Sequence, residues 1–159
     1  MKSLPDMIPF YTRFPDVAER ETRVVTLPRS MGGLPADSYA FIEMFCNDPQ
    51  CDCRRVVILV WPDLSPGKTL ATINFGWETV EFYTRWMHGD EQAGRESASA
   101  TLDPLNPQSR HSELLLALFC DVVSNDPAYV QRLARHYEMF KQIDKDQSRS
   151  LKNKLKKLR

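Results

Sequence analysis

The sequence predicts an α+β fold, in which an antiparallel meander of three or more strands packs against about three C-terminal helices. Two observations carry this prediction. Three apolar segments rich in β-branched and aromatic residues follow one another between residues 37 and 77, and helical periodicity then dominates as far as residue 142. The chain divides into an irregular proline-rich lead-in (1–35), a single α+β domain (36–145) and a basic amphipathic tail (146–159).

The lead-in holds five of the eleven prolines and the pair Gly32-Gly33, a composition that favours looped or extended backbone. A short helix at Asp16–Glu21 is the one regular element that we expect there. The segment has prolines and acids where a secretory signal peptide needs an unbroken apolar core. No stretch approaches the ~20 apolar residues of a membrane span. We therefore expect a cytoplasmic protein.

Three strands are predicted within the domain. The first, DSYAFIEMFC (37–46), alternates and is rich in aromatic and branched residues. The second, CRRVVILVW (53–61), includes a run from Val56 to Trp61 that is apolar on both faces, as in a strand at the middle of a sheet. The turn PDLSPGK leads to the third, TLATINFGW (69–77). Such short links between consecutive strands are typical of an antiparallel meander.

Three helices are predicted to follow. The first, 77–89, has Val80, Tyr83 and Met87 on one stripe, and the second, 109–124, is apolar on most sides and should be buried. The third, 125–142, begins with Asp126 as its N-cap and Pro127 at its first helical position. Its buried stripe is expected to consist of Val130, Leu133, Tyr137 and Phe140. The polar stretch 90–107 between the first two helices is predicted to be a loop.

Charge is balanced overall but unevenly distributed. Lys+Arg and Asp+Glu both total 21, so net charge favours neither nucleic acid nor membrane. Residues 148–159 carry six basic residues and no acid, which leaves a net charge of −6 on the rest of the chain. Leu151, Leu155 and Leu158 recur at helical spacing there. The tail is either a basic amphipathic helix that docks on a protein or RNA partner, or a frayed and solvated end.

Three of the four cysteines, Cys46, Cys51 and Cys53, fall within eight positions around the turn NDPQ. If Cys46 lies opposite Cys51 in a hairpin, all three side chains project from one face of the sheet, because side chains alternate with period two. The same register places Glu43 opposite Arg54, an attractive charge pair. Clustered cysteines in a reducing compartment favour a metal, so we predict a zinc site with these three residues as ligands.

Two other interpretations of the cluster stay open: thiol redox chemistry at Cys51-x-Cys53, and plain packing beside a turn. Three ligands do not close a structural zinc site, so a fourth must come from elsewhere. Cys120 is expected to be a small core residue of its helix. The remaining candidates, each of which has an ordinary surface, capping or core interpretation, are His88, His111, His136, Asp48 and Asp52.

Other features favour ordinary structure over a site. Arg132, Arg135 and His136 form either an anion-binding patch or a solvated helix face with one partly buried histidine. The aromatic-rich middle of the chain indicates a core, with a ligand pocket as the alternative. No phosphate-binding loop, nucleophile elbow or metalloprotease motif is present in the sequence. No catalytic residue is therefore assigned.

Three blocks of the sequence, FCNDPQCDCRRV, ATINFGWETVEFYTRW and DPAYVQRLARHYEMFK, resemble a group of uncharacterised bacterial proteins. Some of those proteins end in a small zinc-binding SEC-C motif. The likeness spans about residues 39 to 142 and implies a bacterial cytosolic protein, without implying an activity. The tail of this chain departs from the SEC-C pattern because it contains no cysteine.

Two functional hypotheses follow from the residues. The first is a non-enzymatic, metal-stabilised adaptor that contacts a partner through its basic tail. The second is a small metallo- or thiol-dependent enzyme with the cysteine cluster at its centre. A fourth protein ligand would favour the adaptor, whereas a position open to water would favour the enzyme.

Overall fold

The computed structural model describes residues 7–158, so the first six residues of the predicted lead-in and Arg159 of the tail lie outside the described part. The fold is α+β, as predicted. The described chain forms a six-stranded antiparallel sheet with the strand order β1-β3-β4-β5-β6, and β2 also pairs with β3. The strands are β1 (Met7–Pro9), β2 (Val24–Leu27), β3 (Asp37–Cys46), β4 (Arg55–Pro62), β5 (Ala71–Gly76) and β6 (Ala100–Leu102). The helices are α1 (Phe10–Arg13), α2 (Pro15–Glu21), α3 (Val80–Trp86), α4 (Glu91–Ser97), α5 (Ser112–Asn125) and α6 (Pro127–Lys157).

The predicted meander is confirmed in β3, β4 and β5, which pair antiparallel in chain order. β4 is the central strand of the three, and Val56, Ile58 and Val60 on one of its faces are almost fully buried. These residues are β-branched and lie beside Phe41 and Ile73 of the neighbouring strands, so they form a continuous apolar surface. Other elements must pack on that apolar surface to shield it from water.

α5 and α6 provide that cover. The Phe119 ring of α5 contacts Phe41 and Phe75 edge-on, with ring centroids 5.4 and 5.5 Å apart. Tyr137 of α6 contacts Phe45 in the same way at 6.0 Å. Edge-to-face pairs of this kind add stability beyond the apolar area that they bury. The aromatic-rich middle of the chain is therefore mostly core.

α3 and α4 pack on the opposite face of the sheet, and Gly76 allows them to approach. A Cβ atom at position 76 would collide with the main-chain oxygen of Ser97 and lie 2.6 Å from the hydroxyl oxygen of Tyr83. Neither α4 nor β6 was expected in the polar stretch 90–107. Asp90 caps α4 by accepting a hydrogen bond from the main-chain N–H of Ala93. Local capping thus forms a helix that lacks an apolar stripe.

The expectation of an irregular lead-in is wrong for residues 7–27. β1 and β2 both pair with β3, and two short helices lie between them. The second of these, α2, confirms the expected helix near Asp16–Glu21. Prolines occupy positions that tolerate them, since Pro9 ends a strand and Pro15 opens α2. A high proline content therefore did not exclude regular structure.

The last helix begins as predicted and ends much later. Asp126 accepts a hydrogen bond from the main-chain N–H of Tyr129 at 3.2 Å, and Pro127 occupies the first turn. Leu133, Tyr137 and Phe140 are buried, and Val130 is half-buried. The helix continues through the predicted tail to Lys157, so the tail is helical but is not a separate element.

Candidate metal centre

The three cysteines that were predicted as metal ligands come together in the structure. The sulfur atoms of Cys46, Cys51 and Cys53 all lie within 4.8 Å of one another. Cys46 is the last residue of β3, and the other two belong to the segment 47–54, called the cysteine loop below. Cys46 and Cys53 are buried, Cys51 is half-buried, and all three are thiols rather than disulfides. Thiol groups at this separation could hold one metal ion.

The hairpin register predicted for this site is wrong. Glu43 lies opposite Ile58 rather than Arg54, so the pairing is shifted by four residues along β4. Glu43 does not pair with Arg54 and instead contacts His136. Because the shift is an even number of residues, each side chain stays on its predicted face of the sheet. The sulfur atoms converge because the cysteine loop folds back, and not because the cysteines are neighbours in a strand ladder.

Arg54 holds the second half of the cysteine loop. Its backbone is left-handed, with φ at 47°, a conformation that costs a residue with a side chain roughly 1 kcal/mol. Its guanidinium donates to both carboxylate oxygens of Asp52 at 3.0 and 3.1 Å, and it also lies 3.4 Å from Glu78. The Arg54 carbonyl oxygen accepts a 2.6 Å hydrogen bond from the hydroxyl group of Tyr83. These contacts fix the loop immediately after Cys53.

Lys141 of α6 holds the first half of the loop. Its Nζ atom donates to the main-chain oxygens of Cys46 at 2.7 Å and of Asp48 at 2.9 Å. A turn follows, in which the main-chain N–H of Cys51 donates to the Asp48 oxygen at 3.1 Å. Lys141 is only 4% exposed, so both hydrogen bonds lie in a low-dielectric setting where they are stronger than in water.

The electrostatics at Cys53 favour a neutral thiol when no cation is bound. A hydrogen bond with Cys46, followed by burial and the nearby Cys51, raises the pKa of the Cys53 thiol well above its usual range. The main-chain N–H of Arg55 acts in the opposite direction by donating a hydrogen bond to the Cys53 sulfur. A metal ion would have to displace this proton, and metal binding at cysteine sites normally releases protons.

Within residues 7–158, no fourth histidine, cysteine or acidic side chain joins the cluster. His136 is held between two glutamates, Glu21 and Glu43. Asp52 is engaged by Arg54, whose hydrogen bonds lower the pKa of that carboxyl. Cys120 lies half-buried on α5, less enclosed than the core position expected for it.

The three cysteines line one side of a small cavity of about 60 Å³. The other lining residues come from β1, β4, β5 and α3 and are Met7, Arg55, Val56, Val57, Asn74 and Trp86. Arg55 and Asn74 were not expected at the site. The only signal in the sequence was a second arginine at the start of an otherwise apolar strand. The three thiols therefore border a space large enough for a few water molecules.

The predicted arginine–histidine patch on α6 is a contact between helices. Arg132 donates to the main-chain oxygen of Glu21 at 2.9 Å, and Arg135 pairs with the Glu21 carboxylate at 2.7 Å. His136 is fully buried. These side chains join α6 to α2, so the interpretation as an anion-binding patch is wrong.

Comparison of the chain with protein-family models, with curated proteins and with solved structures gives no significant match. Among the helices of residues 7–158, none combines the length and apolar character needed to cross a membrane.

Proposed function

We propose that the protein binds one zinc ion through Cys46, Cys51 and Cys53 and acts as a metal-stabilised adaptor. The observation that carries this proposal is the convergence of the three sulfur atoms within 4.8 Å. Zinc–sulfur bonds of about 2.3 Å in a tetrahedral site place sulfurs roughly 3.8 Å apart. An inward movement of about 1 Å or less would therefore form the site, and thiolates are ligands that zinc accepts readily.

The adaptor role rests on the position of the cluster at the base of an exposed helix. Residues 146–158 of α6, called the basic arm below, are exposed except for Ser148, which is half-buried. The cysteine loop reaches the start of the arm. Pro49 and Gln50 share a groove of about 420 Å³ with basic residues that include Lys145, Arg149 and Lys152. Metal bound in the loop would stiffen this junction.

The partner would be an acidic protein surface. Leu151, Leu155 and Leu158 are 59%, 55% and 82% exposed and recur at i, i+4 and i+7 along the arm. Such a spacing presents an apolar stripe, and the neighbouring lysines provide charge complementarity to an acidic partner. RNA would use the same lysines but would gain little from the leucines.

Metal content tests the zinc part of this proposal. Protein purified without chelator should carry about one zinc ion per chain, and the Cys46→Ser and Cys53→Ser variants should lose it. Cys120→Ser is the matched control, because Cys120 is a half-buried thiol outside the cluster, and it should retain the metal. Metal-free wild-type protein with three titratable thiols in the cluster would overturn the proposal.

Hydrogen exchange tests the link between the metal and the arm. Adding zinc to metal-free protein should slow amide exchange in the cysteine loop and in the adjoining turn of α6 around Lys145. Exchange in α5 should stay unchanged and provides the internal control. Slower exchange confined to the cysteine loop would support zinc binding there but would contradict the adaptor role.

A second candidate function, a small metallo- or thiol-dependent enzyme, is favoured by two observations. Within residues 7–158 no fourth protein ligand joins the cluster, which is the condition that favours an enzyme over an adaptor. The three thiols face a cavity, so a bound ion could keep one coordination position for a small molecule. Cobalt substitution tests this candidate, since the visible spectrum of bound Co²⁺ responds to a change of ligand. Added imidazole should shift the spectrum if one position is open, whereas an unchanged spectrum would count against the enzyme.

A further inference from the structure

Arg55 is a half-buried cation that forms no ion pair with any of the described residues. It is the first residue of β4 and lies opposite Gly76, on the same face of the sheet as Asn74. Its Nε atom is fully buried and has no hydrogen-bond acceptor within residues 7–158. None of the ion pairs formed by those residues includes it, in contrast to the adjacent Arg54. Arginine normally occupies buried positions when its planar guanidinium group has a hydrogen-bond acceptor.

The neighbouring acid does not satisfy this guanidinium by contact. Asp103 attracts Arg55 electrostatically, but its carboxylate accepts hydrogen bonds from the side chains of Asn74 and Asn106 and from the main-chain N–H of Leu105. Burial lowers the pKa of Arg55, a direction that reflects the cost of holding its charge away from water. An incoming anion would offset that cost.

The surroundings of Arg55 have the shape of a ligand site. Arg55, Asn74 and Trp86 line both the small cavity beside the cysteines and a larger cleft of about 370 Å³. The cleft lies between α3–α4 and the strands β5 and β6, and its walls include the apolar residues Leu102 and Pro104. Glu96 also lines it, and its carboxylate accepts a hydrogen bond from the side chain of Gln92 at 2.9 Å. Pockets of this size, apolar with a few convergent polar groups, are typical of small-molecule sites.

We propose that this cleft binds a small molecule bearing an oxyanion, either a carboxylate or a phosphate group. The oxyanion pairs with the Arg55 guanidinium, and the body of the molecule lies against the Trp86 ring. This inference goes beyond the proposed function and does not require a metal at the cysteines. Arg55 and Trp86 also line the cavity beside the cysteines, so the cleft and that cavity are neighbours.

The simplest alternative is that Arg55 only balances negative charge on the thiolates. Cys53 does raise the pKa of Arg55, so some attraction of this kind exists. That role predicts that Arg55 binds no external anion in the zinc-loaded protein, where the thiolates already offset its charge. The anion site predicts binding in both the metal-free and zinc-loaded forms.

The experiment is a titration of the whole chain with inorganic phosphate and with acetate, monitored by NMR at single residues. The side-chain Nε–H of Arg55 and the indole N–H of Trp86 should shift in metal-free and in zinc-loaded protein. Arg55→Gln should weaken binding at these signals roughly ten- to a hundredfold, the loss expected for a charge-assisted hydrogen bond. Arg95→Gln, on the exposed side of α4, is the matched control and should bind as the wild type does.

Each outcome decides the proposal. Shifts confined to Lys152 and Lys156 of the basic arm would overturn it, as would equal effects of the Arg55 and Arg95 variants. Binding seen in neither metal state would also overturn it. If Arg55→Gln does not fold, the residue-resolved shifts of the wild-type protein still separate the cleft from the arm. A failed zinc assay leaves the metal-free titration valid, so the two proposals fail independently.

Discussion

The Nδ1 atom of His136 lies 2.7 Å from the Oε1 atom of Glu43, in the fully buried layer between α6 and β3. Its Nε2 atom lies 2.7 Å from Glu21 of α2. Each of the two short contacts requires one hydrogen, so the chain Glu43–His136–Glu21 holds two hydrogens. Phe10 stacks on the imidazole ring with centroids 4.2 Å apart. One histidine thus joins the N-terminal segment, the sheet and the last helix.

Acid titration should reveal opposite contributions from the two glutamates. Hydrogen bonds from Arg135 and His136 lower the pKa of Glu21 to about 2 from 4.5, so its stabilisation is present above pH 4.5 and is lost as pH falls toward 2. Burial raises the pKa of Glu43. Its contribution to stability is therefore present at low pH and is lost as the pH rises through the pKa that Glu43 has in the folded protein.

The measurement is the free energy of unfolding in urea as a function of pH. Between pH 4.5 and 2 the free energy of unfolding of the wild type should fall, and Glu21→Gln should make this fall smaller by about 1 kcal/mol. We expect no more than this because the Glu21 side chain is 29% exposed and solvent screens its interactions. Glu43→Gln should instead gain stability relative to the wild type as pH rises above 4.5. Variants that change the pH dependence in the same direction would contradict this assignment.

Removing the imidazole should be far more damaging than removing any other histidine. His136→Leu leaves Glu43, which is 4% exposed, as a buried acid without its partner, and we expect a loss of about 3 kcal/mol or more. The double variant His136→Leu/Glu43→Leu should recover part of that loss, because no unpaired charge remains. His88→Asn at an exposed, left-handed position is the control and should be nearly neutral. A double variant less stable than the single one would contradict the argument.

Sequence patterns predicted the elements whose signals are local. The apolar run of β4 identified the centre of the sheet, and Asp126 with Pro127 identified the start of α6. β1 and β2 have three and four residues, too few for a pattern to emerge, and they exist because β3 offers them a partner. Their formation is a tertiary effect that no local window contains.

The sequence predicted which cysteines form the candidate site but not how the backbone brings them together. Three clustered cysteines were sufficient to indicate a shared face, but the predicted register assumed a four-residue turn. The pairing of β3 with β4 instead begins at Met44 and Val57, so the connection between the strands is longer than that turn. Arg55 could not be recognised beforehand, because a charged residue at a strand end usually faces solvent.

Gly76 should not tolerate a side chain. An added Cβ collides with the main-chain oxygen of Ser97, which cannot move without displacing α4 from the sheet. We expect Gly76→Ala to reduce the free energy of unfolding by about 3 kcal/mol, in the range of severe overpacking. Gly67→Ala is the control: its φ of +82° is strained, but no atom lies within 4 Å of the added Cβ. Gly76 itself has no left-handed backbone, so a loss no larger than that of the control would show that the neighbouring atoms move aside and relieve the collision.

Lys141 should link metal binding to α6. Lys141→Met keeps most of the aliphatic volume but leaves the carbonyl oxygens of Cys46 and Asp48 without their buried donor. We expect a loss of stability of about 2 kcal/mol or more and a weaker affinity for zinc, because the cysteine loop becomes less ordered. Lys154→Met, at an exposed position of the basic arm outside the groove beside the cysteine loop, is the matched control. A variant with lower stability and unchanged zinc affinity would show that Lys141 stabilises the fold without influencing metal binding in the cysteine loop.

Deleting residues 148–159 should leave the stability of the body nearly unchanged. The described part of this segment is exposed, apart from the half-buried Ser148, so the deletion removes little buried apolar area. A salt bridge between α6 and the N-terminal segment, Arg13 to Asp144 at 2.9 Å, lies before the cut and is retained. Thermal unfolding should therefore give the same midpoint within about 2 °C, while partner binding through the arm is lost.

The triple variant Leu151→Ser/Leu155→Ser/Leu158→Ser, which keeps every lysine, is the control for charge. It should keep any RNA binding and lose binding to an acidic protein, whereas a clearly lower melting temperature of the truncated chain would mean that the leucines dock on the body.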